Sequence, residues 1–131
     1  MIGLDADVLV RYLVADDAAQ HERARRLLED ECSVESPGLV NAVVLCELVW
    51  VLSRAYSYKR DRIAAALSLL LAADEILVED ASEANQALAI YQSGEADFAD
   101  ALIGLRNRAL GCVATATFDK ELESSSLFRS L

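Results

Sequence analysis

Short apolar runs alternate with longer segments whose apolar positions recur every three or four residues, and these two periods predict strands and helices respectively. Ile2-Gly3-Leu4-Asp5 reads as a buried strand, followed by a helix from Asp7 to about Val14 with Val8, Leu9, Tyr12 and Leu13 on one stripe. Asp17 caps a second, charged helix that runs through Leu27 and Leu28. Cys32 to Ser36 predicts a second strand that stops at Pro37-Gly38, and Asn41 caps a long apolar helix to about Ala55. Ile63, Leu67, Leu70 and Leu71 make Lys59 to Ala73 helical, Ile76-Leu77-Val78 is a third strand, and Ser82 opens a helix through Tyr91. Glu95 to Leu110 is a further helix with Phe98, Ala101, Leu102 and Leu105 inward, stopped by Gly111, and Cys112 to Ala116 is a fourth strand. Strands alternating with helices imply the α/β class: three layers, α/β/α, around a central, mainly parallel sheet of four or five strands. No repeat, low-complexity tract or linker interrupts the chain, so residues 1–131 are expected to be one domain.

Composition narrows the function classes. With 54% hydrophobic residues, one Pro and five Gly, global disorder is excluded. The longest apolar runs, Ala42 to Leu52 and Ile63 to Ala73, fall short of the roughly 18 to 20 residues a membrane span requires. Asp5 stands where a secretory leader would be basic and then apolar, so a cytoplasmic location and no membrane association are expected. Cys32, Cys46 and Cys112 lie in apolar segments without C-x-x-C spacing and read as small buried thiols. A single histidine, His21, leaves no His-rich metal site and makes a Ser-His-Asp triad a poor reading. No glycine-rich phosphate loop of the dinucleotide or P-loop kind occurs.

The acids are the informative residues. Asp5 and Asp119 each follow a strand, where α/β sheets bind ligands, although either alone is also a natural cap or turn former. Glu47 has Val43, Val44, Trp50 and Val51 at helical spacing, which places its carboxylate on the stripe expected to face the core. A carboxylate there must pair with a cation such as Arg11 or Arg54, be protonated, or line a cleft. Asp97 and Asp100 share one face at a helix start, where acids also meet the positive end of the dipole, and Asp100 leads into Ala101-Leu102-Ile103. Asp5, Glu47, Asp100 and Asp119, with Asp97 and Asp7 nearby in sequence, thus form a candidate carboxylate cluster. Crowded carboxylates repel unless a hard cation neutralises them, and oxygen-only donors select Mg²⁺ or Mn²⁺. Such ions are shared with substrate phosphates, which points to a metal-dependent enzyme handling phosphate.

Four segments then carry a resemblance. Ile2-Gly3-Leu4-Asp5-Ala6-Asp7, Leu45-Cys46-Glu47-Leu48, Asp97-Phe98-Ala99-Asp100 and Thr117-Phe118-Asp119-Lys120, in this order and spacing, resemble the PIN-domain ribonucleases. More narrowly, they are similar to the VapC-type toxins of bacterial toxin–antitoxin pairs. The resemblance implies a small endoribonuclease that hydrolyses RNA phosphodiester bonds with Mg²⁺ or Mn²⁺ and is held inactive by a cognate antitoxin. It implies metal binding by Asp5, Glu47, Asp100 and Asp119, an accessory acid at Asp97, and a hydroxyl at Thr117 that orients water or phosphate. Two segments depart from the family pattern. Asp5-Ala6-Asp7 replaces the usual Asp-Thr-Asn or Asp-Ser-Asn, with Asp7 expected to cap its helix, and Asn41 stands where Ser or Thr is usual.

Charge sets a constraint on RNA binding. With 12 basic against 22 acidic side chains the formal net charge is −10, whereas RNA affinity normally comes from Lys and Arg. Arg54, Lys59, Arg60 and Arg62 form the patch best suited to guide RNA, while Arg23, Arg25 and Arg26 read as a solvated helix face. An acidic cleft would also suit a basic antitoxin segment whose Arg competes for the carboxylates. The apolar excess predicts a homodimer or a heteromeric complex. Two alternatives stand beside the toxin ribonuclease: another metal-dependent phosphodiesterase or phosphatase, and a catalytically weak PIN-like binding module acting through an antitoxin-like partner.

Overall fold

Three side chains set the helix starts of the N-terminal half by accepting hydrogen bonds from otherwise unpartnered backbone N–H groups. Asp5 accepts from Ala6 N–H at 2.8 Å, Asp17 from Gln20 N–H at 3.0 Å and Asn41 from Val44 N–H at 2.9 Å. They open α1 (Ala6–Leu13), α2 (Ala18–Arg26) and α3 (Ala42–Arg54). The computed structural model describes residues 1–131, which form two compact units, Met1–Ala81 and Ser82–Leu131.

The first unit is built on a parallel sheet of β1 (Ile2–Gly3), β2 (Gly38–Val40) and β3 (Ile76–Val78), in that order. Ile2 pairs with Gly38, and Gly38, Leu39 and Val40 pair with Ile76, Leu77 and Val78. Helix α1 packs against α2 and α3, and α4 (Arg60–Ala72) packs against α3 and β3. Leu9, Val40, Leu45, Leu48, Leu52, Ile63 and Leu67 are almost wholly buried.

The second strand lies later than expected. Ser33 N–H binds Ser36 O and the Ser33 hydroxyl accepts from Ser36 N–H, so Cys32 to Ser36 is a turn, and pairing starts only after Pro37. The second helix widens into a π-helical turn over Leu27–Glu31, closed by Cys32 N–H on Leu27 O. On α1 the buried positions are Ala6, Leu9 and Val10, so the stripe is rotated from the expected one and leaves Val8, Tyr12 and Leu13 only half-buried.

The second unit comprises α5 (Ala81–Ser93, entering from the boundary), α6 (Phe98–Ala109), β4 (Thr115–Thr117), a 3-10 turn at Lys120–Leu122, and β5 (Phe128–Ser130). Phe98, Ala101, Leu102 and Leu105 are buried, as expected, and the Phe98 ring meets Tyr91 edge to face at 6.3 Å. Helix α6 starts three residues later than predicted because Gly94 turns the chain at φ +81°. The fourth strand starts at Thr115 because Cys112 N–H is still bound to Asn107 O at the end of the helix. Strand β5, absent from the sequence reading, pairs parallel to β4, with Thr115, Ala116 and Thr117 opposite Phe128, Arg129 and Ser130. All five strands therefore pair in parallel, in ladders of three and two. No helix is long and apolar enough to cross a membrane.

Candidate carboxylate site

Each strand of the three-stranded sheet is followed within two residues by a polar residue, and parallel pairing brings these residues to one edge. Asp5 follows β1, Asn41 follows β2 and Glu79 follows β3, the position where α/β sheets bind ligands. Asp5 and Asn41 cap their helices, while Glu79 Oε1 accepts from Ala42 N–H at 3.1 Å and its own N–H binds Val40 O at 2.9 Å. Asp5 is thus cap and candidate ligand at once, with one carboxylate oxygen committed to Ala6. Asp7 is not the cap: it lies in the first turn of α1, and lines a groove of about 450 Å³ with Arg11, Gln20 and Arg23.

Glu47 is exposed, not on the buried stripe. Helix α3 is apolar nearly all round, and its core face is Leu45, Leu48 and Leu52, whereas Val43 and Trp50 are 74% and 60% exposed. The carboxylate therefore stands on the outer face among apolar neighbours and needs no buried partner. Arg11 is not its partner either, because it donates to Asp16 at 3.0 Å and to the Tyr56 hydroxyl at 3.2 Å. Tyr56 donates in turn to Asp16, and the Tyr56 hydroxyl together with Arg11 holds the Asp16 carboxyl below its ordinary value.

His21 is structural, with Nδ1 2.9 Å from Arg11 O and its ring stacked on Tyr12. Of the three cysteines Cys32 is buried, Cys46 half-buried and Cys112 exposed, so the expectation of uniformly buried thiols fails at Cys112, which lies in the irregular segment after α6.

In the second unit, Asp97 precedes α6, Asp100 occupies its first turn, and Asp119 follows β4. Thr117 Oγ1 accepts from Asp119 N–H at 3.0 Å, and Asp119 Oδ1 accepts from Glu121 N–H at 2.9 Å. This is a compact turn in which the threonine hydroxyl positions the acid. Burial pushes the Asp100 carboxyl above its ordinary value, and Asp97, Asp119 and Glu121 push it further in the same direction. Three acids of the sequence reading therefore form one electrostatic group, to which the structure adds Glu121. Neither Glu121 nor Glu79 was singled out from sequence, although Glu79 obeys the strand-end rule that found Asp5. Phe118, between Thr117 and Asp119, stands 83% exposed, an unusual place for a large apolar side chain. In neither unit do three His, Cys, Asp or Glu side chains converge closely enough to hold a metal ion.

A family model for the PIN domain matches residues 2–125. The chain belongs to the PIN domain family. The match runs through both units and includes Asp5, Glu47, Asp97, Asp100, Thr117 and Asp119. Comparison with curated proteins and with solved structures gave no match. PIN membership brings with it the three-layer α/β/α fold expected from the alternation of strands and helices, and PIN domains are in general metal-dependent nucleases, a class of hydrolase. The residues fit that requirement in kind. The donors are all oxygen, as hard divalent cations demand, and the mutual repulsion felt at Asp100 is of the sort such a cation relieves.

Proposed function

We propose that this PIN-domain protein is an endoribonuclease that hydrolyses RNA phosphodiester bonds with Mg²⁺ or Mn²⁺, and that it is the toxin of a toxin–antitoxin pair. The observation that carries the reading is the PIN match from residue 2 to residue 125, which encloses every acid picked out from the sequence. Asp5, Asp100 and Asp119 would hold the ion, with Asp97 as an accessory acid and Glu47 either adding a ligand or orienting the attacking water. Such an ion, when bound, supplies a Lewis acid and charge neutralisation at the phosphate. Glu47, exposed on α3, would orient the attacking water through a carboxylate oxygen. Thr117 holds the turn that presents Asp119. Water adds at phosphorus, the bond to the 3′ oxygen breaks, and that oxygen takes a proton, leaving 5′-phosphate and 3′-hydroxyl ends. A cognate antitoxin with a basic segment, a homodimer and a cytoplasmic location complete the reading.

The test is cleavage of total cellular RNA by purified protein with Mg²⁺, with Mn²⁺ and with EDTA, beside Asp5→Asn and Asp100→Asn. Discrete, metal-dependent fragments absent from both variants are expected. A second reading, a catalytically weak PIN-like binding module, is favoured by Asp5 and Asp119 each committing a carboxylate oxygen to a turn, together with the Ala6 and Asp7 departures. Uncut RNA with folded, metal-supplied, antitoxin-free protein would select it.

A further inference from the structure

A protein of net charge −10 that acts on RNA has to hold a polyanion somewhere other than its acidic centre. Three arginines of the first unit are neutralised by ion pairs. Arg11 is paired with Asp16, Arg25 with Glu22 and Glu29, and Arg26 with Glu22. Arg54, Lys59 and Arg62 are different: all three are exposed, none has an ion pair, and all lie in or beside the connection from α3 to α4.

The same connection carries two tyrosines. Tyr56 and Tyr58 meet edge to face at 6.3 Å, and the Arg62 guanidinium lies 3.8 Å from the centroid of the Tyr58 ring. The backbone between them is held in an uncommon conformation, with Ser57 at φ +56°, and Tyr58 N–H returns to Leu52 O at 3.0 Å. Tyr56 is tied down through its hydroxyl to Asp16 and Arg11. A strained, hydrogen-bonded loop that presents unpaired cations around a guanidinium held over a tyrosine ring is a pre-formed surface rather than a tether.

We propose that the Arg54–Arg62 connection is a docking surface for single-stranded RNA, with Arg54 and Lys59 contacting phosphates and the Arg62–Tyr58 stack receiving a base. This rests on the ribonuclease reading for its substrate class. Charge complementarity selects a polyanion, and the stacked guanidinium favours one with exposed bases, which a duplex does not offer.

The probe is a fluorescein-labelled oligouridine of about twelve nucleotides, within the strand lengths such surfaces cover. Binding of the full chain is followed by fluorescence anisotropy in EDTA, between about 50 and 200 mM salt. Relative to wild type, the R54Q/K59Q/R62Q variant is expected to bind at least tenfold more weakly. Its log–log salt slope should be shallower by about 1.4, from two phosphate contacts at about 0.7 each for a single strand. Tyr58→Ala is expected to weaken binding with little change of slope. An unchanged affinity and slope in the folded triple variant overturns the proposal, as does equal binding of duplex RNA or of a labelled oligoglutamate.

Amine labelling of wild-type protein supplies a test that needs no variant, because Lys59 and Lys120 are the two lysines of the chain. RNA should shield Lys59, and shielding of Lys120 alone places the strand at the acidic centre and sinks the proposal. The two readings fail separately. RNA bound through the connection but never cleaved leaves the surface standing and removes the nuclease. Metal-dependent cleavage with no effect of the triple variant on binding does the reverse.

Discussion

A methyl group added to Gly38 would sit 2.6 Å from Cδ1 of Leu4, closer than side-chain carbons approach, so the two residues specify the junction of β1 and β2. Leu4 is 3% exposed and has little room to retreat, and Cys32 Sγ closes the other side at 3.3 Å. Gly38→Ala is expected to lower stability by about 1–3 kcal/mol through overpacking. Gly3→Ala, with nothing within 4 Å of the added atom, is the matched control and should shift the urea midpoint far less. Equal midpoints for the two variants would refute the account.

A second glycine sets two effects against each other. Ala is favoured over Gly inside a helix by about 1 kcal/mol, and Gly104 lies within α6. An added Cβ there would fall 2.9 Å from Leu127 Cβ, however, and Leu127 is buried. Overpacking should win, making Gly104→Ala destabilising by about 1–2 kcal/mol net. A higher Tm would show that the Leu127 segment gives way.

Glu47 offers a separation of stability from activity. Because it is exposed and outside any ion pair, Glu47→Gln should change stability by less than about 0.5 kcal/mol. If it orients the attacking water, cleavage should fall by about 10² or more. Parallel thermal melts and cleavage assays decide it, and undiminished cleavage would remove Glu47 from the proposed machinery.

Asp100 should behave in the opposite way. Its carboxyl is raised by burial and by Asp97, Asp119 and Glu121, so at neutral pH its charge opposes folding of the metal-free protein. Asp100→Asn is expected to raise Tm without metal. Saturating Mn²⁺ should then stabilise wild type, by about 2.7 kcal/mol at a hundred times its Kd, and the variant much less. An equal Mn²⁺ shift in both proteins would take Asp100 out of the ligand set.

Acid titration tests the charged face of α2. Arg25 and Arg26 hold the Glu22 carboxyl down to about 2, from an ordinary value of 4.5. A carboxyl whose folded value is lowered contributes fully above 4.5 and loses its contribution as pH falls toward 2. Wild type should therefore exceed Glu22→Gln in stability at pH 7, with the margin closing between those two values and shrinking in salt. A margin independent of pH would mean that the helix, rather than the charge, is responsible.

Local chemistry was legible in the sequence. Asp17 and Asn41 cap helices where predicted, because a cap is decided within three residues, and Gly111 ends α6 at φ +103° for the same kind of reason. Features decided by distant packing were not. The outward place of Glu47 is invisible in a helix that is apolar nearly all round, since periodicity cannot then say which face is covered. Strand β5 reads Phe-Arg-Ser, without an apolar run, and becomes a strand only because β4 offers it an edge. For the site, the four acids could be named from spacing, whereas the turn that adds Glu121 to the surroundings of Asp100 follows from Thr117 and Asp119 hydrogen bonds that spacing does not encode.

The ladder between β4 and β5 makes Asp119 sensitive to proteolysis at a place that contains no acid. Leu131 N–H binds Thr117 O, and Thr115 N–H binds Leu127 O, so residues 127–131 clamp both ends of the strand that leads into the Asp119 turn. Removal of residues 128–131 would strip β4 of its only paired strand while leaving every candidate ligand in the chain. Preparations that differ in residues 128–131 would then differ in how firmly Asp119 is presented.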